Sequence, residues 1–295
     1  MSTTPADASS TAPGRRADPP LFSRLIDDAA VFPPGSAPLE RAVAEHLARR
    51  RYAGIVGPLL VPATAAADVA TLVRAAEGRL EVVLVARPGS PDGPVRDGVT
   101  RLADEATVSV VGVEVGHSPT WRDLLLLEVP VTVEIPRDRQ DAVLDDVQSA
   151  ASAGSASAGS VQAKFRTGAT ASWRWPDEGE LARFIQGCVA RGLRFKLTGG
   201  LHHAVRGGHA GAGAVAPQHG LLNVLLAVHA AVGARPEPEV AQLLTQRDAP
   251  ALARAVGDLG GADVAAVRRH FTAYGCCTVS DPIDELVDLG LLEEE

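Results

Sequence analysis

The 295-residue chain predicts a (β/α)8 TIM-type barrel followed by a C-terminal helical extension. Two observations carry this. Eight short runs rich in Val, Leu and Ile recur along the chain, most of them separated by amphipathic stretches with helical spacing. The runs are also nearly continuous in apolar residues, as expected of parallel strands covered on both faces. Eight is the number of strands at which such a sheet closes on itself. A doubly wound open parallel sheet is the alternative, but no Gly-rich dinucleotide fingerprint follows the first run.

The runs, in order, are LIDDAAVF (25–32), GIVGPLLVPA (54–63), EVVLVARPG (81–89), VSVVGVEVG (108–116), VPVTVEIPR (129–137), VQAKFRTG (161–168), RFKLTGG (194–200) and LLNVLLAV (221–228). The first carries two acids and is the least typical strand. Helices are expected over 38–51, where Leu39, Val43 and Leu47 share a face, and over 66–78, 141–150 and 177–192. The last has Asp177 and Glu178 after Pro176 as a start signal and Gly192 as a stop. Residues 1–20 have no apolar core and read as a disordered N-terminal tail rather than a secretory signal. The low-complexity stretch SAASAGSASAGS (149–160) reads as a flexible loop inside the domain.

The barrel is thus placed at 21–235 and the helical extension at 236–295, with helices in PEVAQLLTQ, APALARAVG, ADVAAVRRHFTAYG and DPIDELVDLG. In the last, Ser280 is a plausible N-cap, Pro282 lies in the first turn and Gly290 ends the helix. The extension is longer than one barrel helix requires, so it packs across one end of the barrel or against a second subunit, leaving a homo-oligomer open.

Composition narrows the function classes. A net charge of −8 disfavours nucleic acid or an acidic membrane as partner, and no apolar run reaches the roughly 18 residues of a membrane span. Three cysteines, Cys188, Cys276 and Cys277, are too few for a disulfide framework and suit a cytoplasmic protein. A small-molecule substrate is therefore expected, with no cofactor and no metal as the first reading.

The chain has only two lysines, Lys164 and Lys196, against 26 arginines. Where an exposed positive charge suffices, arginine serves; a retained lysine offers a primary amine whose pKa responds to its surroundings. In a barrel, chemistry sits at the C-terminal ends of strands. Four consecutive strands place Glu114, Glu134, Lys164 and Lys196 there, with Arg166 and Thr198 on the same side two residues further on. Arg87 ends the third strand, Asn223 sits in the eighth apolar run, and the first run offers Asp27 and Asp28. Buried charges cost several kcal/mol each unless they face one another or a ligand, which argues for convergence at the barrel mouth. A cation beside a partly desolvated lysine lowers its pKa and frees the amine to attack a carbonyl, while Glu114 or Glu134 shuttles protons.

Lys164-Phe165-Arg166-Thr167-Gly168 and Lys196-Leu197-Thr198-Gly199-Gly200 together resemble the motifs of deoxyribose-phosphate aldolase, a class I aldolase on a (β/α)8 barrel. That family carries K-x-x-T-G on strand 6 and K-x-x-G-G on strand 7. The resemblance implies that Lys164 forms the Schiff base and that Lys196 is the neighbouring cation lowering its pKa. It also implies that Gly199 and Gly200 offer backbone N–H groups to a substrate phosphate. Bulky Phe165 and Arg166 depart from the small residues of the family, and Leu201-His202-His203 is not part of its pattern.

His202 and His203 are further candidates, one as general acid/base, at the start of a glycine-dense segment (207–220) expected to act as a lid. Trp173 and Trp175 are expected on a pocket wall, and the cysteine pair in the core. The first functional expectation is an aldolase-type lyase acting on a small carbonyl compound. Its rivals are a metal-dependent isomerase or hydrolase using Glu114, Glu134 and His202, and a non-catalytic barrel that binds an anionic ligand.

Overall fold

The computed structural model describes residues 20–153, 161–211 and 214–294. Parallel strands β1 (Ile26–Asp28), β2 (Val56–Pro62), β3 (Leu80–Val85), β4 (Val108–Gly116), β5 (Val131–Glu134), β6 (Val161–Arg166) and β7 (Phe195–Thr198) are successive neighbours. Helices α1 (Leu39–Ala48), α2 (Ala66–Ala75), α3 (Gly93–Ala103), α4 (Gln140–Ala153) and α5 (Glu178–Ala190) connect all but one pair of them. Between β4 and β5 a single 3-10 segment (Trp121–Leu127) replaces the helix. It is tied to α4 because Trp121 Nε1 donates to Asp146 at 2.8 Å and Arg122 donates to the same carboxylate at 2.8 Å.

The eighth strand does not lie where the sequence placed it. After β7 come an antiparallel hairpin, β8 (Gly207–Gly211) and β9 (Ala214–Gln218), and helices α6 (Leu221–Val232), α7 (Glu237–Thr245), α8 (Ala249–Gly257) and α9 (Gly261–His270). Only then does β10 (Phe271–Cys276) pair in parallel with both β7 and β1, closing the barrel before α10 (Ser280–Asp288).

The run LLNVLLAV is therefore the start of α6. Its Leu- and Ala-rich composition favours helix, and it is apolar all round because α5, α7, α8 and α9 pack against it. The helix expected through Tyr274 and Gly275 stops at His270, where Phe, Thr and Tyr take over in an extended conformation. Barrel residues accordingly run past 235 into the stretch assigned to the extension. Val279, not Ser280, precedes α10, and Ser280 is its first residue. The N-terminal stretch to 19 and residues 154–160 of the Ser/Ala/Gly segment lie outside the described residues, while 149–153 finish α4.

Other local signals hold. Asp177 caps α5 through a reciprocal pair: its carboxylate accepts from Glu180 N, and the Glu180 carboxylate accepts from Asp177 N, both at 2.9 Å. The outer faces of β6, β7 and β10 carry Phe165, Phe195 and Phe271. Phe165 and Phe195 both contact Phe184 of α5 (4.8 and 5.3 Å between centroids), and Phe195 also stacks on Phe271 at 5.6 Å. With these large groups outside, the inside is divided. Ala29, Leu60 and Val83 form a small apolar cluster on the β1–β3 side. The β4–β7 side is charged. Among the described residues no helix is long and apolar enough to cross a membrane.

Candidate active site

Pairing in register puts Glu134 of β5 beside Lys164 of β6, and Lys164 beside Lys196 of β7. Gly116 of β4 is level with Glu134, so Glu114, two residues earlier, points to the same interior face. Side-chain contacts join these groups to Asp27 and Arg166. Lys164 Nζ lies 3.0 Å from Glu114 Oε2 and 2.9 Å from Glu134 Oε2. Lys196 Nζ donates to both Asp27 and Glu114. Arg166 grips Glu134 with two bonds, from Nε (2.9 Å) and from Nη2 (3.2 Å). The result is one line of alternating charge: Asp27, Lys196, Glu114, Lys164, Glu134, Arg166. Three acids face three bases, so the formal sum is zero, which is what allows six ionisable groups to share a barrel interior.

Each pKa follows from the neighbours. Burial would raise the Glu114 carboxyl, but the two ammonium groups outweigh it and bring the value from 4.5 to about 2. Burial would likewise raise Glu134, yet Lys164 and Arg166 hold it below the usual carboxylate range. Burial would lower both lysines; instead Glu114 and Glu134 raise Lys164, and Asp27 and Glu114 raise Lys196. For Asp27 burial dominates, and its pKa is raised despite Lys196. The expectation that Lys196 depresses the Lys164 pKa is corrected here. Glu114 stands between the two amines, and in the resting site both are ammonium ions.

Above this line, at the C-terminal ends of the strands, lies a cavity of about 1250 Å3. Lys164, Glu114 and Glu134 form part of its lining, whereas Lys196 and Asp27 do not reach it. Four arginines, Arg87, Arg137, Arg139 and Arg166, line it as well, with Trp173 and Trp175 on a wall as expected. Ala216 and Gln218 of the β8–β9 hairpin border the cavity, which gives the glycine-dense segment its place beside the mouth.

The motif residues divide into those that face the cavity and those that shape it. Thr198, Gly199 and Gly200 line it. Thr167 is fully buried, and its hydroxyl bonds the Thr198 carbonyl at 3.2 Å, so it ties β6 to β7 and offers nothing to a ligand. Gly168 is required by close approach: a Cβ there would sit 1.4 Å from the Gly199 carbonyl oxygen. Gly199 has φ +74°, and the space a side chain would fill is taken by the Arg166 guanidinium.

Asn223 is corrected more fully. On α6 it is buried away from the cavity; it donates to the Leu243 and Gln246 carbonyls (2.8 and 2.9 Å) and accepts from Arg206 N at 2.9 Å. It fastens α6 to the end of α7.

His203 lines the cavity but is bound to Glu285 (2.6 Å) and stacked on His209 with ring centroids 3.4 Å apart. His202 lines it too, 3.5 Å from Cys276 Sγ, and burial lowers its pKa. Cys276 is a core residue as expected, while Cys277 borders the cavity. Among the described residues no group of three or more His, Cys, Asp or Glu side chains is arranged to hold a metal ion. Glu114 and Glu134 are instead committed to the lysines and Arg166.

Arg137 was missed in the sequence. It donates to the carbonyls of Arg174 (2.7 Å), Arg166 (3.1 Å) and Gly168 (3.4 Å) and lies against the rings of Phe165 and Trp173. Its signal was present: it ends the fifth run, VPVTVEIPR, where a strand delivers side chains to the mouth.

Fold and site together define a TIM-type barrel whose mouth holds a paired-charge floor under a cation-lined cavity. Compared with known proteins, the chain matches no family model and no curated sequence.

Proposed function

We propose that this barrel is an aldolase-type lyase that acts on a small carbonyl compound through a Schiff base on Lys164, working in the cytoplasm. One observation carries the reading: of the two lysines only Lys164 reaches the cavity, and it does so between two carboxylates. Those carboxylates fit the chemistry that follows. The ammonium form is the resting state, so reaction begins when a carboxylate accepts a proton from Nζ. The amine then adds to the carbonyl carbon, and the same carboxylate returns the proton to the departing oxygen. The iminium on Lys164 serves as the electron sink for breaking a carbon–carbon bond, with Glu114 or Glu134 accepting the hydroxyl proton of the fragment that leaves. Lys196, in the floor but outside the cavity lining, holds Glu114 and Asp27 in place and never meets the substrate.

Borohydride trapping tests this. Incubation with short aldehydes and ketones followed by reduction should add the mass of the carbonyl compound to the peptide bearing Lys164, and Lys164→Met should abolish the adduct. Failure to trap any carbonyl compound would refute the Schiff base. The raised pKa of Lys164 favours a second reading, in which it stays charged and polarises a carbonyl while Glu134 moves a proton. In that case a substrate is turned over without any trapped adduct.

A further inference from the structure

We infer that the substrate carries a carboxylate or phosphate group received by Arg137, and that this anion draws Arg166 away from Glu134, converting Lys164 from ammonium to amine. The inference rests on the Schiff-base reading above and adds the substrate class and the trigger.

Arg137 lies outside the neutral line of six charges. Among the described residues no carboxylate forms an ion pair with it, although it is half buried. Instead, three backbone carbonyls and two aromatic rings fix its guanidinium on the cavity wall. A cation held rigidly at a cavity, with no carboxylate in ion-pair contact, is a pre-organised receptor for an anion. Arg174 and Arg166 are its cationic neighbours, and Arg137 grips the backbone carbonyl of each. Burial, together with the nearby Arg174 and Arg166 charges, lowers the Arg137 pKa even though Glu180 offsets part of it, so an incoming anion gains from both guanidinium groups.

Arg166 is free to respond because, among the described residues, only Glu134 bonds its guanidinium. Nε and Nη2 are on the Glu134 carboxylate, and Nη1 lies over Gly199, where a side chain would obstruct it. Glu134 is ionised at rest because two cations share it, Lys164 at 2.9 Å and Arg166. If the substrate anion takes Arg166, Glu134 keeps only Lys164 and becomes a stronger base than it is at rest. The proton on Lys164 Nζ then passes to Glu134. The freed amine attacks the carbonyl carbon, a C–N bond forms, and the C=O π pair moves to oxygen. That oxygen takes the proton back from Glu134 and a second from nitrogen and leaves as water. Nitrogen thus gives up two protons, water carries both, and Glu134 ends as it began. A carbonyl compound without an anionic group leaves Arg166 in place and Lys164 charged.

The test compares trapping rates for matched probes, pyruvate against methyl pyruvate and dihydroxyacetone phosphate against dihydroxyacetone, in the full-length protein. With the wild type, the anionic member of at least one pair should label Lys164 about tenfold faster or more, despite the greater electrophilicity of the ester. Arg137→Gln should abolish that preference. Arg166→Gln, checked for folding by its unfolding curve, should raise neutral labelling, because Glu134 has permanently lost its second cation.

Equal labelling by charged and neutral probes would overturn the inference and leave the Schiff base standing. Loss of anionic labelling in Arg166→Gln without a gain for neutral probes would also overturn it, making Arg166 an anchor only. No labelling by any probe would remove the Schiff-base reading itself, and the trigger with it.

Discussion

Replacing Glu114 with Gln tests whether the line of charges works as a unit. Glu114 forms an ion pair with both lysines, and among the described residues no other group does. Its carboxyl pKa stands at about 2 against an ordinary 4.5. At 1.36 kcal/mol per tenfold of acidity, that amounts to about 3 kcal/mol of folding free energy. Because the folded pKa is the depressed one, this stabilisation is complete above pH 4.5 and is lost as pH falls toward 2. Breaking a buried pair by removing one partner costs about 3–5 kcal/mol, so the two approaches agree. Urea unfolding at pH 7 should show Glu114→Gln destabilised by that amount. The line of charges would then sum to +1, which is relieved if a lysine gives up a proton. With only two lysines in the chain, lysine labelled with 15N at Nζ yields two side-chain resonances to follow against pH. In the wild type both should remain charged beyond the ordinary lysine value of 10.5. In Glu114→Gln at least one should titrate below it. A variant within about 1 kcal/mol of wild type, with both amines still charged at that pH, would show that Glu114 does not couple them.

Two further outcomes separate structural roles from chemical ones. Asn223→Ala leaves two carbonyls at the end of α7 and the Arg206 amide without their partner; it should cost about 2–3 kcal/mol in unfolding experiments while trapping on Lys164 proceeds at the wild-type rate. His219 is buried, close to Arg206, and its pKa is lowered from 6.5 to about 4. The unfolded chain therefore binds the proton first, and this contribution is full above pH 6.5 and lost as pH falls to 4. Wild-type stability should drop by up to about 3 kcal/mol more than that of His219→Gln across that interval, and parallel pH profiles for the two would contradict the assignment.

Much of the barrel was legible because its strands obey simple rules. The fourth run coincides with β4, Val108–Gly116, and the helix at 249–257 coincides with α8. The errors share one cause. An apolar segment covered on every side has no periodicity to reveal its conformation, so LLNVLLAV read as a strand although it is the most enclosed helix. That false eighth strand then concealed β10, whose residues extended an apparent helix. In the site, Lys164, Glu114, Glu134, Lys196, Asp27 and Arg166 converge because alternation along parallel strands fixes which side chains face inward. Which side-chain ends touch is not encoded by spacing: Lys164 and Lys196 are level on neighbouring strands, yet Glu114 of β4 stands between their ammonium groups. Arg137 had the positional signal of a strand end, but its partners are carbonyls and rings, for which no sequence pattern exists.

The placement of β10 also dictates when the molecule can become itself. Ile26 pairs with Tyr274, so the first strand waits for a partner far downstream in the chain to leave the ribosome. Until then β1 and β7 are open edges, the kind that recruit other chains. Lys196 of β7 and Asp27 of β1 meet across that same gap, with β10 alone between their strands. Asp27 is thus joined to the rest of the floor in the step that seals the wall. A nascent chain stalled before residue 271 would expose both edges and leave Asp27 and Lys196 apart, and the six residues of β10 close the two gaps together.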